Sequence, residues 1–160
     1  FGASLLTAKL SDHIWSVAEV KPEPFFYRPV GNENEKAAKF FEHNEQIERQ
    51  LADAGWRPGQ LVAGIKKDVI ISSHIADRPD RVVIYGWHRP DGSPIQPVYS
   101  GHIWWYVDYS HGIRFMNAQV LVDGSPVKVS DLLKDPVLFR IVTDEENPLR
   151  LSFYPENMIL

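Results

Sequence analysis

The sequence predicts an α+β domain, in which N-terminal helices pack on a mostly antiparallel sheet and short helices follow at the C-terminal end. Apolar residues recur at helical spacing over about residues 1–55. From about 60 to 130 the chain instead contains short Val- and Ile-rich runs separated by turn sequences, and 131–160 carries two helix starts. Because no repeat or linker interrupts the 160 residues, we expect a single domain, 1–160.

Two helices are expected in the first part. The first carries an apolar stripe and ends before the proline-containing run 21–24; the stripe is Leu6, Leu10, Ile14 and Val17. A loop with three prolines, 22–34, separates it from a second helix at about 34–54, which ends at Gly55. The apolar stripe of the second helix is Ala37, Phe40, Phe41, Ile47 and Leu51. We expect His43 on the solvated face of this helix.

The middle of the chain is predicted to form strands at 61–72, 81–87, 102–107, 113–122 and 127–129. Two hairpin turns are indicated by Asp-Gly dipeptides, in 89–94 and in 123–126. Ser130 and Asp135-Pro136 are typical helix starts and predict short helices at 131–134 and 136–143. A last strand is expected at 149–154.

Composition excludes several classes of function. The formal net charge is -4, and the 17 basic residues form no long block, which argues against non-specific binding to nucleic acid. No apolar run approaches the roughly 20 residues that a membrane span needs. The chain has no cysteine, so disulfides, thiolate catalysis and cysteine-ligated zinc are excluded. Its oligomeric state is left open.

Polar residues with catalytic potential are concentrated between Gly64 and Arg114. The segment 101–114, GHIWWYVDYSHGIR, contains two histidines, an aspartate, a serine and an arginine among four large aromatics. On a straight strand His102 and Asp108 would lie about 20 Å apart. A bend at 108–112 would instead let Asp108 converge with His111.

Three functions fit these residues. His102, Asp108 and His111, together with His88, supply imidazole and carboxylate ligands for a zinc ion, although their spacing matches no established ligand motif. The same residues without metal allow acid–base catalysis, in which Lys67 or Arg114 stabilises negative charge. The third function is a binding module whose aromatic groove contacts a sugar or peptide polymer. For each histidine and aromatic residue, a purely structural role is the alternative.

Lys67 stands out for another reason. By strand alternation it shares a face with Val69 and Ile71, so its charge requires a partner such as Asp108. The alternative is that the strand lies at a sheet edge, where exposed lysines discourage aggregation. For Trp104 and Trp105, alternation predicts opposite faces, with at least one ring in the core.

Four motifs resemble an uncharacterised family of predicted secreted microbial proteins. The motifs are GIKKD at 64–68, IYGWH at 84–88, IQP at 95–97 and YVDYSHGIR at 106–114, and the similarity covers roughly 60–130. A looser similarity includes Asp12-His-Ile-Trp15. The resemblance implies export. It also marks a group of positions as candidates for function without assigning an activity: Lys67, Asp68, His88, Gln96, His102, Asp108, Ser110, His111 and Arg114.

We therefore expect a secreted hydrolase that acts on an extracellular or cell-wall polymer through a His/Asp-centred site. The catalytic candidates are His102, Asp108, His111, Lys67 and Arg114. The substrate-binding candidates are Trp87, His88, Gln96, Tyr106 and Ser110. In the metal version, His102, Asp108 and His111 bind zinc. The alternative is a carbohydrate- or peptide-binding module without catalysis.

Overall fold

The computed structural model describes residues 2–155 and confirms the α+β class. The helices are α1 (Ala8–Val17), α2 (Ala37–Asp53), α3 (His74–Asp77), α4 (Val129–Leu132) and α5 (Phe139–Val142). The strands are β1 (Ala3–Leu5), β2 (Lys67–Val69), β3 (Ile84–His88), β4 (Pro94–Tyr99), β5 (His111–Gly112), β6 (Phe115–Asn117), β7 (Gln119–Val122) and β8 (Ser125–Lys128).

The main sheet has four strands in the order β4-β3-β2-β5. Its β4-β3 and β3-β2 pairs are antiparallel, whereas β2 and β5 run parallel. Two further sheets are two-stranded antiparallel pairs, β1 with β6 and β7 with β8. The expectation of a mostly antiparallel arrangement is therefore confirmed, and the parallel pair is the exception.

Both predicted helices of the first part exist, with shifted bounds. Leu6 precedes α1 and is buried in a bridge to Ile70, while the Thr7 hydroxyl accepts the Leu10 amide at 3.3 Å and caps the helix. Strand β1, just before it, was not predicted. The second helix begins at Ala37, because residues 33–35 form a separate 3₁₀ turn.

Several predicted strands are wrong in extent. Of 61–72 only Lys67–Val69 is a strand, 113–122 is divided into two strands of different sheets, and 149–154 is irregular. The run 102–107 is not a strand either: it makes a single bridge, from Ile103 to Arg81, and then turns. The hairpin at 89–94 is confirmed, but its second strand is β4.

Ten buried residues form the hydrophobic core between the main sheet and the C-terminal helices: Ile70, Ile71, Ile75, Val83, Tyr85, Val129, Leu132, Leu133, Val142 and Leu149. Helix α1 lies against β3 on one side of the sheet. No helix within residues 2–155 is long and apolar enough to cross a membrane.

Candidate functional site

The histidine cluster, defined here as Lys67, His102, Asp108 and His111, forms where β5 pairs with β2. The parallel register places His111 opposite Lys67, and the Lys67 amide donates to the Ser110 carbonyl at 2.8 Å. Upstream, the Val82 amide donates to the His102 carbonyl at 3.0 Å. Between these two anchors the chain turns back, so residues that a straight strand would separate come together.

Aromatic contacts hold the two imidazoles side by side. The ring centroids of His102 and His111 are 5.2 Å apart. Tyr106 stacks on His102 with centroids 4.3 Å apart and an interplanar angle of 18°. Tyr99 packs edge-on against the same imidazole at 5.1 Å. Two histidine rings are thus packed together at one place by aromatic neighbours.

Asp108 is fixed by the turn that follows it. Its carboxylate accepts hydrogen bonds from both the amide and the hydroxyl of Ser110, the amide at 2.8 Å. Burial alone would raise the pKa of Asp108, but the Ser110 bonds, together with the electrostatic effects of His111 and Lys67, hold that pKa below its usual value. Asp108 is therefore a fixed negative charge within the cluster. Ser110 is buried, and both its amide and its hydroxyl donate to Asp108. Ser110 is therefore a positioning residue.

Lys67 occupies an interior strand of the main sheet, so the edge-strand alternative is wrong. Burial lowers the pKa of Lys67, and the Asp108 carboxylate acts in the opposite direction. Its Nζ lies 5.7 Å from the centroid of the Trp87 ring. Among residues 2–155 no carboxylate lies within ion-pair distance of Lys67, so Asp108 balances its charge through space.

Both histidines of the cluster are neutral at neutral pH. Burial lowers the pKa of His111 to about 4, and the Lys67 charge contributes in the same direction. Burial and the Lys67 charge also lower the pKa of His102. Neutral imidazoles are able to accept a proton at one ring nitrogen while they donate from the other. The cluster therefore combines proton acceptors, proton donors and one fixed carboxylate.

An apolar cavity of about 560 Å³ opens beside His111. We call it the tryptophan cavity; its lining is Val69, Val82, Trp104, Trp105, Tyr106, Val107, His111, Gly112 and Ile113. The expectation that one of the paired tryptophans lies in the core is wrong, since Trp104 is 37% and Trp105 63% exposed. Their rings contact each other edge-on, with centroids 5.4 Å apart, and form an aromatic wall.

His111 lines this cavity and carries a hydrogen-bonding atom that is not used within residues 2–155. Its Nδ1 accepts a long hydrogen bond, 3.4 Å, from the Asp108 amide. The proton of the neutral ring is then carried by Nε2. Nε2 is buried and has no hydrogen-bond partner among the described residues. An unpartnered buried donor is costly, so an acceptor that reaches this N–H would form a favourable hydrogen bond with it.

The other predicted site residues divide between the two faces of the main sheet. Trp87 is buried, and of the histidine cluster its ring faces the Lys67 ammonium. The Gln96 amide on β4 donates to the Pro97 carbonyl at 3.0 Å and does not reach the cluster. Arg114 donates to the Val62 carbonyl at 3.0 Å and lines a different cavity together with Asp68. The structure thus does not bring Arg114 or Gln96 to the histidine cluster.

His88 belongs to a second polar group, the Asp12 cluster, formed by Asp12, Tyr85 and His88. One Asp12 oxygen accepts from the Tyr85 hydroxyl and from His88 Nε2, both at 2.7 Å. In a regular strand Tyr85 and His88 would point to opposite faces. Positive φ angles at Gly86 (100°) and Trp87 (55°) accompany a shift in the β3-β4 register, and this bulge turns His88 back toward α1.

Asp68 lies on this second face as well. Its carboxylate accepts a hydrogen bond from the Ser11 hydroxyl of α1 at 2.7 Å, and burial raises its pKa. Since Lys67 and Asp68 are consecutive strand residues, they point to opposite sides of the sheet. The candidate residues therefore form two separate groups.

The metal version of the site gains no support. Within residues 2–155, no group of three or more His, Asp or Glu side chains is arranged to hold a metal ion. The two imidazoles contact each other and Tyr106, and Asp108 is already bound by Ser110. Zinc would need these groups to converge on one point.

Two residues of structural importance were missed or misplaced by sequence reasoning. Asp12 anchors the second cluster, and its only signal was the Asp-His-Ile-Trp motif. His43 is buried, not solvated: it is 1% exposed and packs against Tyr27, Trp87 and Tyr109. Helical spacing could have revealed this, because His43 lies three residues after Phe40 and four before Ile47 on the apolar stripe.

Comparison with known protein families, with curated proteins and with solved structures gives no match for this chain.

Proposed function

We propose that the protein is a metal-independent hydrolase whose active site is the histidine cluster, acting on an extracellular or cell-wall polymer. The observation that carries this proposal is the packing of two neutral imidazoles against each other, with a lysine and a fixed carboxylate around them, beside an open cavity. Neutral imidazole is the most frequent general base in enzymes near pH 7. Export is proposed from the motif resemblance alone.

Each residue of the histidine cluster has a separate role in the proposed reaction. His102, which is half-buried, takes a proton from the attacking water. His111 donates its Nε2 proton in a hydrogen bond to the oxygen on which negative charge develops, which is the carbonyl oxygen of an ester or amide and the leaving oxygen of a glycoside. The positive charge of Lys67 stabilises that oxygen further. The bond to the leaving group then breaks, and His102 returns its proton to the leaving oxygen or nitrogen. Asp108 is a positioning residue, because it orients the His111 turn and balances Lys67.

Turnover of a polymer panel tests this proposal. Labelled peptidoglycan, xylan, chitin and polycaprolactone are incubated with the protein after dialysis against EDTA, and soluble products are measured. His102→Ala is expected to lower turnover by roughly 100-fold or more. The matched control is His13→Ala, which removes an exposed histidine of α1 and should leave turnover unchanged.

The pH dependence adds a second readout. Since His102 must be unprotonated to act as a base, kcat/KM should fall as the pH drops. Burial lowers the pKa of His102, so this fall is expected below the ordinary histidine value of about 6.5. Turnover that His102→Ala leaves intact, or that EDTA abolishes, would refute the assignment.

A binding module is the second candidate, favoured by the exposed rings of Trp104 and Trp105. Exposed aromatic pairs suit stacking against sugars or planar groups. On this alternative one of the same polymers is retained by the protein but never cleaved. Loss of retention in Trp105→Ala, together with unchanged retention in His102→Ala, would favour the module over the enzyme.

A further inference from the structure

The tryptophan cavity constrains the substrate of the proposed hydrolase. At about 560 Å³ it lies within the size range of small-molecule sites, roughly 300–1,000 Å³. Four of its lining residues are aliphatic, namely Val69, Val82, Val107 and Ile113, and three are aromatic. Among residues 2–155, no Asp, Glu, Asn, Gln, Lys or Arg side chain lines it.

This lining is poorly suited to a sugar. A bound sugar buries several hydroxyl groups, and each of them needs a hydrogen-bond partner. The side-chain polar atoms of the lining are two indole N–H groups, the Tyr106 hydroxyl and the His111 imidazole. None is a carboxylate or amide. An apolar group is instead stabilised by burial in proportion to its area.

One hydrogen-bond donor marks where a polar atom of the ligand would lie. His111 is 8% exposed, its Nε2 has no partner among residues 2–155, and the residue lines the cavity. The donor needs a single acceptor, and a carbonyl oxygen provides one. Lys67 pairs with His111 across β2 and β5, and the Asp108 amide bonds the His111 ring. The reacting bond would therefore lie next to His111, with the apolar part of the ligand among the apolar lining residues.

From this arrangement we infer that the substrate is a carboxylic ester whose apolar acyl chain occupies the tryptophan cavity and whose carbonyl oxygen accepts the His111 Nε2–H. The inference rests on the proposed hydrolase function, and among polymers it selects polyesters over glycans and peptidoglycan. Water adds to the carbonyl carbon, the C–O bond of the ester breaks, and the products are the free acid and the alcohol.

Acyl chain length provides the first test. Hydrolysis of 4-nitrophenyl acetate, butyrate and octanoate is followed by release of 4-nitrophenolate. Each buried methylene contributes several-fold, so kcat/KM should rise about tenfold from acetate to butyrate and rise again for octanoate. The substitution Ile113→Asp places a charge in the cavity at a residue that is 63% exposed, so folding is little affected. It should remove most of the preference for long chains.

The control is Val137→Asp, which makes the same change in charge at a residue that is 73% exposed and lies outside the cavity lining. Its chain-length profile should equal that of the unaltered protein. Equal profiles for Ile113→Asp and Val137→Asp, or a flat profile in the unaltered protein, would overturn the inference.

Binding of octanamide, a carbonyl compound that resists hydrolysis, separates the two proposals. Tryptophan fluorescence should report saturable binding that Ile113→Asp weakens at least fivefold and Val137→Asp leaves unchanged. Octanamide binding without turnover of any ester or any polymer of the panel would refute the hydrolase and keep the acyl cavity. Turnover of xylan or peptidoglycan without octanamide binding would refute the ester inference and keep the hydrolase.

Discussion

Removal of the Asp12 carboxylate tests how the bulged strand β3 is held against α1. In Asp12→Ala, the Tyr85 hydroxyl and His88 Nε2 both lose the acceptor that lies 2.7 Å from each of them. Tyr85 is 8% and His88 3% exposed, so the protein rather than bulk water must satisfy these donors. The Asp12→Ala variant should therefore unfold more readily than the unaltered protein.

The magnitude follows from the burial of the partners. A buried donor left unsatisfied costs about 1–3 kcal/mol, which would give about 2–6 kcal/mol for two. The Asp12 side chain itself is 50% exposed, so water entering its place recovers part of this cost. We expect a loss of about 2–3 kcal/mol in the free energy of unfolding. Asp12→Asn keeps an acceptor oxygen without its charge and should lose about 1 kcal/mol.

Urea unfolding followed by tryptophan fluorescence measures these differences, because Trp15 stacks on His88 with centroids 6.0 Å apart. The midpoint should shift while the slope with urea stays constant. His13→Ala, at the exposed neighbouring position, should stay within about 0.5 kcal/mol of the unaltered protein. An Asp12→Ala protein as stable as His13→Ala would refute the role assigned to the Asp12 cluster.

Two other predictions concern stability. Gly86→Ala places a side chain at φ 100°, where its Cβ would lie 3.2 Å from the His88 ring, whereas Gly59→Ala meets the same φ with no atom within 4 Å. Backbone strain should lower the free energy of unfolding of both variants by about 1–2 kcal/mol. Gly86→Ala should lose more, because its Cβ also presses against the His88 ring. Equal losses for the two variants in urea unfolding would contradict close packing at the Gly86-Trp87 bulge. Burial lowers the pKa of His43 and of His111 from 6.5 to about 4, so the unfolded chain binds these protons first as pH falls. Stability should be fully present above pH 6.5 and decline between pH 6.5 and 4, by on the order of 2–3 kcal/mol for each histidine. In His43→Leu the pH dependence of the free energy of unfolding should lose the contribution of one proton, so the decline should be shallower. Urea titrations at several pH values measure this, and parallel curves for the variant and the unaltered protein would contradict it.

Helical periodicity predicted the two long helices because it depends only on neighbouring residues of one segment. The same local rule places His43 on the apolar face between Phe40 and Ile47, although its chemical character favoured a solvated position. The positions of the two hairpins were likewise predictable, since Asp-Gly turns act within a few residues. Strand bounds were predicted less well, because a Val-rich run forms a strand only where a partner pairs with it.

The candidate site depends on contacts that no local rule contains. Sequence alternation indicated that Lys67 requires an ionic partner, whereas within residues 2–155 the Asp108 carboxylate acts on Lys67 only through space. A bend at 108–112 was the stated condition for Asp108 and His111 to converge. The parallel pairing of β2 with β5 sets Lys67 opposite His111, and that register is chosen by the packing of the whole sheet.

By itself, the sequence determined the α+β class, the long helices, the turns and the short list of chemically capable residues. Only the tertiary structure decided how this list is divided: Lys67, His102, Asp108 and His111 on one side of the sheet, His88 with Asp12 on the other. The physical reason is that side-chain direction in a strand alternates regularly until a bulge reverses it, and the bulge at Gly86-Trp87 requires a positive φ that is stabilised by contacts from distant segments.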